Sequence, residues 1–130
     1  MDPFSTPGAF SWAELQTADP DGAARFYGNL LGWSFEAVQF GPQAYRMARV
    51  GDEVVAGIAA CSADEGVIPR GWGCYITVDD VDETAERCQM LGGKVLLAPT
   101  ELGTVGRLAV LQDNQGAIFS AITYTRDPAA

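Results

Sequence analysis

The sequence predicts an α+β fold made of two tandem βαβββ modules. Three observations carry that reading: an internal repeat, an alternating apolar segment opening each half, and turn residues that cut the remainder into one helix and three strands per half. Trp12-Ala-Glu-Leu-Gln-Thr17-Ala-Asp19 aligns with Trp72-Gly-Cys-Tyr-Ile-Thr77-Val-Asp79 at a shift of 60 residues, and Leu31-Gly32 aligns with Leu91-Gly92 at the same shift. Arg46, Ala48 and Asp52 match Arg107, Ala109 and Asp113 one residue out of phase, at 61.

Each half opens on a strand with one buried face, 11–18 and 72–78. Ala13, Leu15 and Thr17 share one face of the first; Trp12, Glu14 and Gln16 share the other. Asp19-Pro20-Asp21 and Asp79-Asp80-Val81-Asp82 then supply N-cap oxygens and acidic first turns that suit the positive end of a helix dipole. Ala23, Phe26, Tyr27, Leu30 and Leu31 form the apolar stripe of the first helix, with Gly32 as a left-handed cap; Val81, Ala85, Cys88 and Leu91 form that of the second, before Gly92-Gly93. Phe26, Leu30, Leu31, Ile118 and Phe119 are expected in the core. Strands follow at 33–40, 44–50 and 54–60, and at 94–98, 106–112 and 117–124. Gly41-Pro42, Gly51-Asp52 and Asp113-Asn114-Gln115-Gly116 are the turns between strands. The expected organisation is a flexible N-terminal tail (1–9), a first module (10–62), a linker (63–71), a second module (72–125) and a C-terminal tail (126–130).

Composition narrows the chemistry. With 130 residues, 48% of them hydrophobic, the chain can fill a real core, so disorder is not expected. There is no histidine, which removes Ser-His-Asp and Cys-His catalysis and any His-bearing metal site within one chain. Seventeen acidic against eight basic residues, with Lys94 as the single lysine, leave no basic patch for nucleic acid or an anionic membrane surface. No run is long and apolar enough to span a bilayer and no signal-type N-terminus precedes the fold, so a cytoplasmic location is expected. Cys61, Cys74 and Cys88 have neither paired number nor C-x-x-C spacing and read as ordinary thiols.

Asp19 followed by Phe26-Tyr27-x-x-Leu30-Leu31-Gly32-Trp33 in the first half, and Val78-Asp79-Asp80-Val81-Asp82, Leu91-Gly92-Gly93 and Asp113-Asn114-Gln115-Gly116-Ala117-Ile118-Phe119 in the second, resemble the vicinal oxygen chelate superfamily. That group includes glyoxalase I, extradiol dioxygenases, fosfomycin-resistance enzymes and bleomycin-resistance proteins. The resemblance covers roughly 10–124 and implies that the modules curl into curved mixed sheets enclosing a cup-shaped cavity. In the family's metalloenzymes, His, Glu or Gln on the first and last strand of each module ligate the metal. The matching positions here are Trp12, Trp72 (or Gly73), and the neighbourhoods of Ala59 and Ser120, which supply no set of donors for a divalent cation. Glu14 alone is insufficient, so no cofactor is expected.

Aromatic residues at those positions imply a site of the metal-free bleomycin-resistance kind, in which a drug is sequestered, usually by a dimer. The expected ligand-binding residues are Trp12, Glu14, Gln16, Phe35, Phe40, Tyr45, Met47, Trp72, Cys74, Arg107 and Ser120. Trp12 and Trp72 either line the cup or fill it. Glu14, between Trp12 and Gln16 on one strand face, is either a desolvated general acid or base or an acceptor for a ligand or for Arg46 or Arg107. Arg107, mid-strand in an apolar segment, needs a partner or an open site, and Arg46 shares that requirement. Three function classes follow: sequestration of an aromatic natural product, a metal-independent cyclase, isomerase or ring-opening enzyme using Glu14, and a paralogue whose cup is filled by its own side chains. A homodimer is expected, because a lone pair of modules leaves sheet edges uncovered.

Overall fold

The computed structural model describes residues 1–40, 43–61 and 69–125, without the side chains at 39, 40, 43 and 44. The expected Gly41-Pro42 turn, the C-terminal tail and all but 69–71 of the linker lie outside the described residues. The elements run β1 (Phe10–Thr17), α1 (Pro20–Leu31), β2 (Ser34–Phe40), β3 (Gln43–Val50), β4 (Glu53–Ala60), β5 (Gly71–Thr77), α2 (Val81–Met90), β6 (Lys94–Leu102), β7 (Gly106–Gln112) and β8 (Ile118–Tyr124). This is α+β, with βαβββ occurring twice.

The chain divides into two compact units, Trp12–Gly73 and Met1–Ser11 with Cys74–Ala130. In the first unit the strand order is β2-β3-β4-β1, antiparallel except for the parallel β4–β1 pair. The second repeats it as β6-β7-β8-β5, with β8–β5 parallel. Parallel neighbours need a crossover between them, and α1 and α2 lie on those connections.

Both helices start as their sequences ask. The Asp19 carboxylate accepts from Gly22 N at 3.0 Å and the Asp80 carboxylate from Glu83 N at 3.1 Å, each satisfying a backbone donor left open by the first turn. Gly32 ends α1 at φ 75°, a conformation that glycine adopts without a Cβ clash.

In the second unit, α2 lays Val81 and Ala85 onto Ala109 and Leu111 of β7 and Ala121 of β8, with Cys88, Val95 and Phe119 packed around them. Leu91 does not complete that stripe, being 69% exposed. In the first unit the buried layer on the α1 side of the sheet is Leu15, Ala48, Ala56 and Ile58. α1 itself buries no residue fully, and Phe26, Leu30 and Leu31 are exposed rather than in the core. The half-buried positions of the helix are Pro20, Gly22, Ala23, Ala24, Tyr27 and Gly28, so α1 seats mainly through small residues and Tyr27 and turns Phe26, Leu30 and Leu31 away from the sheet.

β6 continues to Leu102, past the expected end at 98. Pro99 does not stop it, because the β6–β7 ladder shifts register between Leu97 and Thr100 and so skips the residue that lacks an N–H. Residues 2–9, expected as a tail, make contacts in the second unit: Thr77 donates its hydroxyl to Pro3 O at 2.7 Å, Gly8 N donates to Thr77 O at 2.8 Å, and Phe4 meets Tyr124 edge-on at 5.0 Å.

Candidate functional site

The alternation of β1 puts Leu15 on the α1 side of the sheet and Trp12, Glu14 and Gln16 on the opposite face. Cross-strand register extends that face: Glu14 pairs with Gly57 and Gln16 with Ala59, and on the far side of β4 Gly57 pairs with Met47 and Ala59 with Tyr45. Tyr45 stands two strands from Glu14, yet its phenol reaches it. The ring lies across β4 over Gly57, where an added Cβ would fall 1.7 Å from Tyr45 Oη. Only glycine leaves that passage open.

The phenol oxygen joins two strand neighbours of β1. Trp12 Nε1 donates to Tyr45 Oη at 2.9 Å, and Tyr45 Oη donates to Glu14 Oε2 at 2.7 Å. Gln16 Nε2 donates to the other carboxylate oxygen, Glu14 Oε1, at 2.6 Å. A carboxylate accepting at both oxygens satisfies this pattern, and Tyr45, at 8% exposure, is held rigidly within it. The result is an indole and a phenol fixed beside one carboxyl group, across a strand, β4, whose residues on this face, Gly57 and Ala59, are small.

Five of the expected binding residues, Trp12, Glu14, Gln16, Tyr45 and Met47, therefore share one face. Phe35, Trp72, Arg107 and Ser120 have other surroundings. Phe35 pairs with Ala48 and lies on the α1 side, within 3.7 Å of where a Gly28 Cβ would sit. Trp72 does not mirror Trp12: its Nε1 donates to Tyr27 Oη of α1 at 3.0 Å, and its ring meets Tyr27 and Trp33 edge-on at 5.5 and 5.9 Å. The helix side claims it because Tyr27 offers the acceptor there. Cys74, two residues on, is a half-buried free thiol. Ser120 is buried in the second unit, paired with Tyr75 and Val110. Phe40 ends β2, and its side chain is outside the described residues.

Arg107 is engaged by acidic side chains. Its Nε and Nη2 donate to the two oxygens of Asp82, each at 2.8 Å, and Nη1 donates to Glu101 at 2.9 Å. Arg46 pairs with Asp21 in the first unit, and both pairs are separated by 25 residues. The repeat has kept a strand arginine bound to the first turn of its own helix; Arg107 is satisfied at Nε, Nη1 and Nη2, while the buried Nε of Arg46 has no hydrogen-bond partner among the described residues.

Ionisation follows these contacts. The hydrogen bond from Arg107 lowers the Asp82 carboxyl below its usual range. Backbone N–H groups of Gln115 and Ala117 do the same for Asp113. Burial pushes the Tyr124 phenol up, partly offset by its bond to Ser11.

The residues do not fit a metal of the kind the resemblance implies. Trp12 presents an N–H that donates, Ala59 has no donor atom, and the other carboxylate that the register puts on the face of Glu14, Glu36 on β2, is paired with Arg49. Among the described residues no group of three or more His, Cys, Asp or Glu is placed to hold an ion.

The sequence reading missed Gly57 and the linking role of Tyr45. A lone glycine inside the apolar run Val54-Val55-Ala56-Gly57-Ile58 was the available signal, since glycine within a strand marks a close approach.

The family model of the glyoxalase/bleomycin resistance protein/dioxygenase superfamily matches residues 9–120. CFP32 of Mycobacterium tuberculosis is 38% identical over 116 residues, covering 88% of this chain and 44% of that protein. The anthracycline biosynthesis protein DnrV of Streptomyces peucetius is 30% identical over 127 residues, covering 88% of this chain and 46% of its own. The chain thus spans less than half the length of either relative. Methylmalonyl-CoA epimerase from Mycobacterium tuberculosis superposes with a TM-score of 0.63 at 16% identity, over 96% of this chain and 93% of that one, and so shares the fold. By the span of the family match and the agreement of the fold, this chain belongs to the glyoxalase/bleomycin resistance protein/dioxygenase superfamily.

Proposed function

We propose that the chain is a metal-independent small-molecule-binding protein that sequesters an aromatic or polycyclic natural product. The observation that carries this reading is Tyr45 laid over Gly57, which fixes a phenol beside Glu14 together with the indole of Trp12, the residue at the position where the resemblance implies a metal ligand. Fixed aromatic rings favour flat ligands, each offset stack adding about 0.5–1.5 kcal/mol beyond area burial. Glu14 supplies an oriented acceptor for a ligand hydroxyl or ammonium group. The likeness to a protein named for anthracycline biosynthesis supports a polycyclic ligand class. The proposal includes a homodimer, with the exposed Phe26, Leu30 and Leu31 of α1 facing a second copy.

The test is tryptophan fluorescence titrated with an anthracycline, followed by recovery of the ligand and mass analysis. Saturable quenching with the compound recovered unchanged supports sequestration. A chemically altered product overturns it.

A second reading has one specific support. The Tyr45–Glu14 bond couples a buried phenol to a carboxylate, an arrangement able to take or return a proton. In that reading the chain is a metal-independent cyclase, isomerase or ring-opening enzyme with Glu14 as general acid or base. Glu14→Gln then abolishes turnover while ligand quenching survives.

A further inference from the structure

The second unit holds a cleft of about 530 Å³ between α2 and the ends of β7 and β8, within the range of about 300–1,000 Å³ usual for small-ligand sites. Its walls include Arg87, Cys88, Leu91, Gly93, Leu111 and Phe119. The internal repeat explains why it is open. With Leu31-Gly32 aligned to Leu91-Gly92, Gly93 stands where the first unit has Trp33, and Arg87 stands where it has Tyr27. In the first unit those two rings stack on each other, 5.6 Å between centroids and 23° from parallel. The second unit has neither ring, and it cannot regain one from position 93: a Cβ there would fall 2.5 Å from both Cys88 Sγ and Gln112 O.

The polar groups of the lining differ in how far they are already engaged. Thr84 donates its hydroxyl to Asp80 O, and the Cys88 thiol is directed at the carbonyls of Lys94 and Gln112. Asp113, also in the lining, accepts from two turn N–H groups. Arg87 makes no ion pair among the described residues. Apolar walls from Leu91, Leu111 and Phe119 beside one uncommitted guanidinium suit a flat hydrophobic body carrying a single anionic group.

We propose that this cleft is a second ligand site, separate from the Trp12 face, which takes a small planar aromatic carboxylate in the place that the first unit fills with its own Trp33–Tyr27 stack.

Amide NMR of the full chain titrated with 2-naphthoate tests it. The expected result is saturable shifts of the Thr84–Leu91, Gly93, Leu111 and Phe119 amides. Arg87→Gln, a change at an exposed position of the cleft wall, weakens naphthoate by roughly tenfold, as loss of a charge-assisted contact does, and leaves neutral 2-naphthamide unchanged. Bound naphthoate also slows alkylation of Cys88 by iodoacetamide. Absence of shifts at millimolar naphthoate, shifts centred on Trp12 and Tyr45 instead, or equal affinity in Arg87→Gln would overturn the assignment.

Discussion

At the scale of single residues the account turns on Gly57 and Tyr45. Gly57→Ala places a Cβ inside the phenol and must push the ring off β4, so the hydrogen bonds to Trp12 and Glu14 are lost with one methyl group. We expect a stability loss of about 1–3 kcal/mol, the usual cost of overpacking, and a change in Trp12 emission, read together in a urea titration. Tyr45→Phe keeps the ring and removes only the phenol oxygen. It should cost about 1–3 kcal/mol, because a buried hydrogen-bonding group loses its partner, and fluorescence-detected unfolding measures it. If Gly57→Ala were as stable as the parent with unchanged emission, Tyr45 would not lie where described. The alternation of β1 was enough to place Trp12, Glu14 and Gln16 together. It could not reveal that a tyrosine two strands away completes the group, since that depends on cross-strand register, which one strand's pattern does not encode. Trp72 illustrates the opposite failure: repeat alignment equated it with Trp12, but its hydrogen-bonding partner comes from α1, and the local contact decided its environment.

At the scale of elements, the boundaries were readable because caps and turns are chemically explicit. Asp19 and Asp80 both cap as their positions imply, and replacing either by alanine should cost about 1 kcal/mol in thermal or chemical unfolding. The outward turn of Phe26, Leu30 and Leu31 was not readable. Helical periodicity marks a stripe but not which edge of it the sheet accepts, and the small residues Ala23, Ala24 and Gly28 allow the closer seat. The strand arginines were expected to have a partner or an open site, with Glu14 as one possible acceptor; their acidic partners are instead Asp21 and Asp82 in the helices' first turns, with Glu101 beside Arg107. This has a consequence for acid stability. Asp82 and Asp113 titrate below their unfolded values, so their contribution is present above the unfolded carboxyl pKa, near 4, and is lost as pH falls through the lower folded values. Asp82→Asn should therefore lower the melting temperature at pH 7 and narrow the gap between pH 7 and pH 3; an unaltered gap would contradict the ion pair's role.

At the scale of the whole molecule, the duplicated βαβββ order was legible from one 60-residue shift, and the family match over residues 9–120 agrees with it. The two copies have diverged in what they hold. The first uses Trp33, Tyr27 and Trp72 to pack its helix side and keeps a hydrogen-bonded aromatic face around Glu14; the second opens a cleft at the position equivalent to Trp33. No helix among the described residues is long and apolar enough to cross a membrane. In the proposed dimer the exposed α1 face meets a second copy. Light scattering should give the mass of a dimer that Leu30→Glu reduces to that of a monomer; a parent that is monomeric at every concentration removes the dimer from the proposal. The central claim is that the Trp12–Tyr45–Glu14 face holds a polycyclic aromatic ligand without transforming it. An anthracycline titration of the parent and Gly57→Ala proteins, followed by tryptophan quenching, with mass analysis of the recovered ligand, decides between binding and turnover on this face. The account predicts saturation in the parent, loss of saturation in Gly57→Ala and an unchanged compound; equal binding by both proteins, or a modified product, would contradict it.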